Sequence, residues 1–414
     1  MPLPETALLA ASALQQPDIH VPVIGNRWAV GGFFLLHIVF GSFTMGTLAI
    51  GPTYELVGWR RRDPRFERYA RALADVNIKI FSLGATLAGF AVIFLTGLYP
   101  RFLVQLLEIF WWPALAAFVI WLPAIAALYT YVHWWDRMAD RPGRHLALGY
   151  TAAALDHVFL VLIVGIDSYL LTPGGSGLAA FFNPSFLEEL GHRFNGNISW
   201  ASFFIAAVAA VFSGTTRRPD DRAYFQWAAK ASLVVGFLTL ILQVLLGVLF
   251  VESIHYASPG AFAYSFTGPY AWLWLVQLGM LSVLVAGSSL YFWLSRPNLV
   301  GALLTAVVAL GAIASLLPAP AYPRSIFWAR YIGLGVALAA SLGHWLLWRR
   351  RAEGAGGERF TSRAALAVTG VTAVLLFLLM GVIRTTARDD YTIYGKLRES
   401  DSYGLFQPGP AHYP

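Results

Sequence analysis

The chain has 414 residues, 57% of them hydrophobic and 12% charged, no cysteine, and a formal net charge of +7. A soluble domain carries about 25% charged residues, so half that charge on so apolar a chain excludes a water-soluble globule and specifies a polytopic membrane protein. The missing cysteines exclude disulfide scaffolds, thiolate metal sites, iron–sulfur clusters and cysteine nucleophiles, and leave five methionines as the soft ligands.

A bilayer core about 30 Å thick needs roughly 20 apolar residues per helix. The sequence predicts an all-α transmembrane bundle of about ten spans, at residues 28–58, 78–98, 109–133, 148–171, 184–213, 228–252, 271–294, 299–317, 328–348 and 364–383. Four parts follow: an N-terminal segment 1–27, spans one to five within 28–215, spans six to ten within 216–383, and a tail 384–414. Residues 1–24 show no basic region followed by an apolar run and a small-residue cleavage site, so they do not read as a signal peptide. Of the 29 lysines and arginines, 20 fall in the odd-numbered connections and 9 on the other side. The excess of positive charge on cytoplasmic loops then puts both termini outside and explains the net charge by lipid rather than nucleic acid. Before span five, Asn183 is expected to cap the helix, with Pro184 at its first position and Glu188 and Glu189 at the positive dipole end.

An ionisable group at membrane depth costs about 2.5–3.5 kcal/mol, so each one is a functional candidate. The candidates are His37, Glu55, His133, Asp156, His157, Asp167, His192, Glu252, His255, Met280 and His344. Counted from the outer ends of their spans, His37, His192 and Met280 lie roughly 12–13 Å deep, on one level. His157 is nearer the middle, His133 and His344 lie towards the inner side, and His255 sits past the outer end of span six. Haem iron takes a histidine nitrogen or a methionine sulfur from facing helices, which this level suits. The alternative for each histidine is a neutral ring bonded to a carbonyl or hydroxyl of the bundle, and for Met280 it is core packing. Asp156, Asp167, Glu55 and Glu252 are candidates for carrying protons or meeting a quinone hydroxyl, or else for bonding between helices.

Four motifs resemble subunit I of the cytochrome bd quinol oxidases. The run His37 to Glu55, with Thr44 and Gly46, is similar to that family's first helix with its haem-ligating histidine. Trp134-Trp135-Asp136-Arg137 resembles the end of the third helix, Asp167 to Pro173 falls at the close of the fourth, and the spacing of Asn183-Pro184 to His192 is similar to that before the low-spin haem histidine. The resemblance covers about the first 215 residues and implies that His37 and His192 each bind a b-type haem, with Met280 the nearest match for a second ligand. His157 is a further cofactor-binding candidate. It also implies a prokaryotic cytoplasmic membrane, a quinone or quinol substrate and partner subunits of a respiratory complex. Two departures matter. The third-helix glutamates that serve oxygen reduction fall on Ala116 and Ala124, and the connection Ser253 to Tyr270 lacks the quinol-binding Gly-Arg-Gln-Pro-Trp pattern. The expected function is therefore a haem b subunit passing electrons between a quinone pool and a peripheral redox subunit on the outer side, docked by the tail, without reducing oxygen. The alternatives are a true bd-type terminal oxidase and a haem-free quinone-binding anchor or proton-coupled transporter.

Overall fold

The computed structural model describes residues 21–267, 270–316, 324–350, 359–387 and three short strands in the tail. Ten long helices run in chain order: α1 Gly25–Arg61, α2 Pro64–Leu98, α3 Pro100–His133, α4 Pro142–Tyr169, α5 Phe186–Thr215, α6 Pro219–Ala257, α7 Ala271–Ser295, α8 Leu299–Ser315, α9 Arg324–Arg349 and α10 Phe360–Ala387. Nine of these are long and apolar enough to cross a membrane, whereas α8 has 17 residues and falls short of that length among the described residues. At 1.5 Å per residue α8 covers about 26 Å, so it lies just below a full hydrocarbon thickness. The chain is a multi-pass membrane protein. Its helices coincide with the ten apolar runs but extend past most of them, because a helix continues into water wherever capping and charge allow. The start of α2 shows this: Pro64 takes the first helical position and Asp63 accepts from the Arg65 amide at 3.0 Å, fourteen residues before the apolar run begins at 78.

Local sequence also sets a bend in α3. Pro113 has no N–H to give and crowds the carbonyl four residues back, and the backbone leaves helical geometry at Phe110 (φ −119°, ψ 26°). At span five the expected cap is replaced by another bond pattern. The helix starts at Phe186, and the Asn183 carboxamide faces α4 instead, donating to the Ser168 hydroxyl at 2.8 Å and accepting from Thr172 at 3.0 Å. Asn183 thus fastens the α4–α5 connection, which also contains a short helix, Leu178–Phe181. In the tail, Tyr391–Ile393, Leu397–Glu399 and Ala411–His412 form a small antiparallel sheet lying beside α3, so the chain is not wholly helical. The expected outer N-terminal segment falls largely outside the described residues.

Ion pairs gather the basic connections onto one face. Arg68 at the start of α2 meets Asp221 of the α5–α6 side at 2.9 Å and lies over the Tyr224 ring at 3.9 Å, while Arg71 meets Asp136 beyond α3 at 2.6 Å. The Arg71 guanidinium holds the exposed Asp136 carboxyl below the usual carboxylate range. Arg296 after α7 donates to the Trp348 carbonyl at the end of α9.

The centre of the bundle is α5, which packs against α1, α4, α6 and α10. Two of these contacts bring backbones together. A methyl group on Gly46 of α1 would lie 2.2 Å from the Asn197 carbonyl oxygen, and one on Gly370 of α10 would lie 2.2 Å from the Ala207 Cβ. Glycine is required at both places by the approach alone. On the face opposite the basic one, Asp167 of α4, Glu189 and Arg193 of α5 and Arg384 of α10 form an ionic clasp. Arg193 pairs with Asp167 and, at 2.8 Å, with Glu189, and Arg384 reaches Glu189 at 2.7 Å and Asp167 at 3.1 Å. Two guanidinium groups balance two carboxylates, with Glu189 only 1% exposed.

Two stability measurements follow from these contacts. Gly46→Leu forces α1 and α5 apart and lowers the thermal midpoint of the detergent-solubilised protein, with a loss of at least about 1–3 kcal/mol from overpacking. Arg384→Ala leaves Glu189 and Asp167 sharing a single guanidinium and costs about 3 kcal/mol in the same assay, whereas an unchanged midpoint would show that the clasp does not hold α10 to α4 and α5.

Candidate functional site

His37 lies where α1 and α2 meet. A methyl group on Gly84 of α2 would stand 2.9 Å from the Phe40 Cβ, so only glycine lets the α2 backbone approach this closely. That approach brings the Gly84 carbonyl to 2.9 Å from His37 Nδ1. A carbonyl only accepts, so Nδ1 carries the proton and Nε2 keeps its lone pair. A histidine whose second nitrogen is fixed by a carbonyl is oriented as an imidazole ligand, and His37 would be able to hold a haem iron through Nε2.

His192 lies against α6. The Gln243 amide nitrogen is 3.0 Å from both ring nitrogens and 3.0 Å from the His192 carbonyl. One atom cannot hold both ring distances in the ring plane without overlapping Cε1, so the amide sits over the ring face and leaves the in-plane lone pair unused. Gly247 of α6 lies beside this ring, and Phe250 packs at 5.8 Å. Asn195 secures the arrangement by donating to Gln243 Oε1 at 2.8 Å. His192 therefore also fits a ligand position.

The register of α1 and α5 separates the two histidines in depth. Gly46 touches Asn197, and both helices run in the same direction, so His37 lies about 13 Å and His192 about 8 Å from that contact towards the clasp face. The expected single level becomes an offset of roughly 6 Å. Met280 of α7 is half-buried in the central cluster with Leu284 and Val285. Helix α10 packs against both α5 and α7, and α7 meets α5 hardly at all, so Met280 and His192 stand on helices that are not direct neighbours. His157 donates from Nδ1 to the Ala153 carbonyl of its own helix at 2.6 Å, with its ring 4.9 Å from Phe194 of α5. His344 is buried and bonded to Ser289 of α7 at 2.8 Å, whereas the exposed His133 is bonded to the Tyr129 carbonyl of its own helix at 2.9 Å.

The four carboxylate candidates fall in four different settings. Asp156 is buried, and its Oδ2 has no hydrogen-bond partner among the described residues. Asp167 belongs to the ionic clasp. Glu252 is exposed near the end of α6. Glu55 is 7% exposed and bonded on both oxygens, accepting from the Tyr131 hydroxyl at 2.7 Å and facing His145 Nδ1 at 2.7 Å. His145 is absent from the candidates drawn from the sequence, because it follows Pro142-Gly143-Arg144 and reads as part of a basic loop. The signal that could have found it is position: α4 begins at Pro142, so His145 already lies one turn inside the helix, at the same basic end of the bundle as Glu55.

On α3, Ala124 is buried and Ala116 half-buried, so the positions that the bd resemblance assigns to glutamates carry methyl groups within the bundle. No family model matches the chain, and no curated protein sequence matches it. In structure it is similar to a bd oxidase from Geobacillus thermodenitrificans, at 15% sequence identity and a TM-score of 0.56, over 87% of this chain and 94% of that one. At that identity the likeness establishes the fold: the chain has the helical membrane architecture of a bd oxidase chain.

Proposed function

We propose that the chain is a haem b-carrying subunit of a respiratory membrane complex, passing electrons between a quinone or quinol pool and a peripheral redox subunit. The observation that carries this reading is His37, with Nδ1 tied to Gly84 and Nε2 left for a metal. The bd oxidase fold and the placing of the Gln243 amide over the His192 ring support it. In this reading His37 and His192 hold haem, with Met280 and His157 as further ligand candidates, and the group supplies one-electron chemistry. The chain's own part is to hold each imidazole neutral and oriented and to keep water from it. Asp156, with an unpartnered buried oxygen, is the first candidate to bond a quinone hydroxyl or carry its proton, followed by Glu55, Asp167 and Glu252. Alanine at 116 and 124 removes the carboxylates that the resemblance ties to oxygen reduction, so quinol oxidation ends at a partner and not at oxygen. The basic face is placed at the cytoplasm of a prokaryote, and the tail beside α3 is the place where the partner docks.

The test is a reduced-minus-oxidised spectrum with a pyridine haemochrome assay on the purified complex. The expected result is b-type bands in the parent, loss of one haem per chain in His37→Ala, loss of another in His192→Ala, and no oxygen uptake with quinol. Absence of b-type bands overturns the reading in favour of a haem-free anchor or transporter, and quinol-driven oxygen uptake overturns it in favour of a terminal oxidase.

A further inference from the structure

Glu55 of α1, Tyr131 of α3 and His145 of α4 form a closed hydrogen-bonded set at the basic end of the bundle, with relative exposures of 7%, 1% and 3%. His145 Nε2 is 2.9 Å from the Tyr131 carbonyl, and a carbonyl only accepts, so Nε2 carries a proton. The Tyr131 hydroxyl donates to Glu55 Oε2 at 2.7 Å. The remaining contact, His145 Nδ1 to Glu55 Oε1 at 2.7 Å, would set lone pair against lone pair if both groups were bare. One further proton therefore lies between them, on the imidazole or on the carboxyl, and the set is neutral in either form. Tyr131 stacks on His145 at 4.8 Å and Trp135 meets its ring edge-on at 4.6 Å, which keeps the pair dry from the α3 side.

A groove opens close to the pair on the basic face. Trp59, one turn beyond Glu55 on α1, and Arg141, Pro142, Gly143 and Arg144, just before His145, line an open groove of about 590 Å³. The other titratable groups near the pair are Glu67 of α2, Tyr150 of α4, which shares a hydrogen bond with Thr53, and the groove's Arg141 and Arg144. The arginines stay protonated near neutral pH, so the buried pair, unlike them, is able to take up a proton and return it.

We propose that Glu55, His145 and Tyr131 are a proton-loading site that exchanges with water at the basic face through the Trp59–Arg144 groove. Its ligand is hydronium. On loading, an O–H bond of hydronium breaks, an N–H bond at His145 Nδ1 or an O–H bond at Glu55 Oε1 forms, and a water molecule is left; no electron moves. Tyr131 holds the carboxylate while the proton is away. This inference does not rest on the haem reading.

The experiment is infrared difference spectroscopy of the full chain in nanodiscs, taken between two pH values in H2O and in D2O. The expected result is a carboxylic C=O band that changes with pH, shifts in D2O and disappears in Glu55→Gln. Tyr131→Phe keeps the backbone carbonyl and removes the hydroxyl, so the band moves to higher wavenumber, and this variant serves if Glu55→Gln does not fold. Gly143→Trp, which fills the groove, slows exchange of the band after a jump into D2O at least tenfold and leaves its titration in place. A band that survives Glu55→Gln, or one that Tyr131→Phe does not move, shows a merely structural pair and overturns the site; exchange at the parent rate in Gly143→Trp overturns the route. Missing haem bands in the same sample overturn the haem reading and leave this titration untouched.

Discussion

The bundle is organised by the backbone contacts of α5. In lipid there is no hydrophobic gain in bringing two helices together, so association depends on close packing and polar contacts. Gly46 and Gly370 let α1 and α10 approach α5 to distances that any side chain would forbid. Once these approaches are fixed, the positions of His37, His192 and Glu55 follow, because each lies a set number of residues along α1 or α5 from the contact with Asn197. The clasp of Asp167, Glu189, Arg193 and Arg384 ties α4 and α10 to α5 at the end opposite the basic face.

Polar side chains within such a bundle must find their partners inside the protein, and the way they do so sorts them. His344 is buried and bonded to a serine of a neighbouring helix, which is how a packing histidine is satisfied. His37 differs because its partner is a backbone carbonyl on another helix, reached only through a glycine. His192 differs because the neighbouring amide sits on its face and not on its edge. Both arrangements leave an in-plane lone pair on the ring.

Much of the fold was legible in the sequence because hydropathy and charge speak directly to the bilayer. The ten apolar runs match the ten helices, and the arginine-rich connections do share a face, as Arg68–Asp221 and Arg71–Asp136 show. What was illegible depends on which face a residue turns. Asn183 has the makings of a helix cap, but Ser168 on α4 and Thr172 just beyond it offer it better partners. Asp167 reads as a lone acid, whereas Arg193 and Arg384 arrive from helices 26 and 217 residues further along. His145 was hidden by its basic neighbours, and its role is visible only once α1, α3 and α4 are set side by side. The shared level of His37 and His192 failed for a related reason: apolar runs locate a helix only to within a few residues, and one helical turn is already 5.4 Å.

The placement of these groups along α1 bears on how protons and electrons would be linked. His37 and Glu55 are eighteen residues apart on one helix, with Gly46 midway, which separates them by roughly 27 Å. A unit charge added at one end acts on the other by about 0.6 kcal/mol at an effective dielectric of 20. That is less than half a pH unit in the affinity of the loading site, too little to drive uptake with each electron by charge alone. Coupling between the two ends would therefore need a structural intermediary, and α1 is the element that both share.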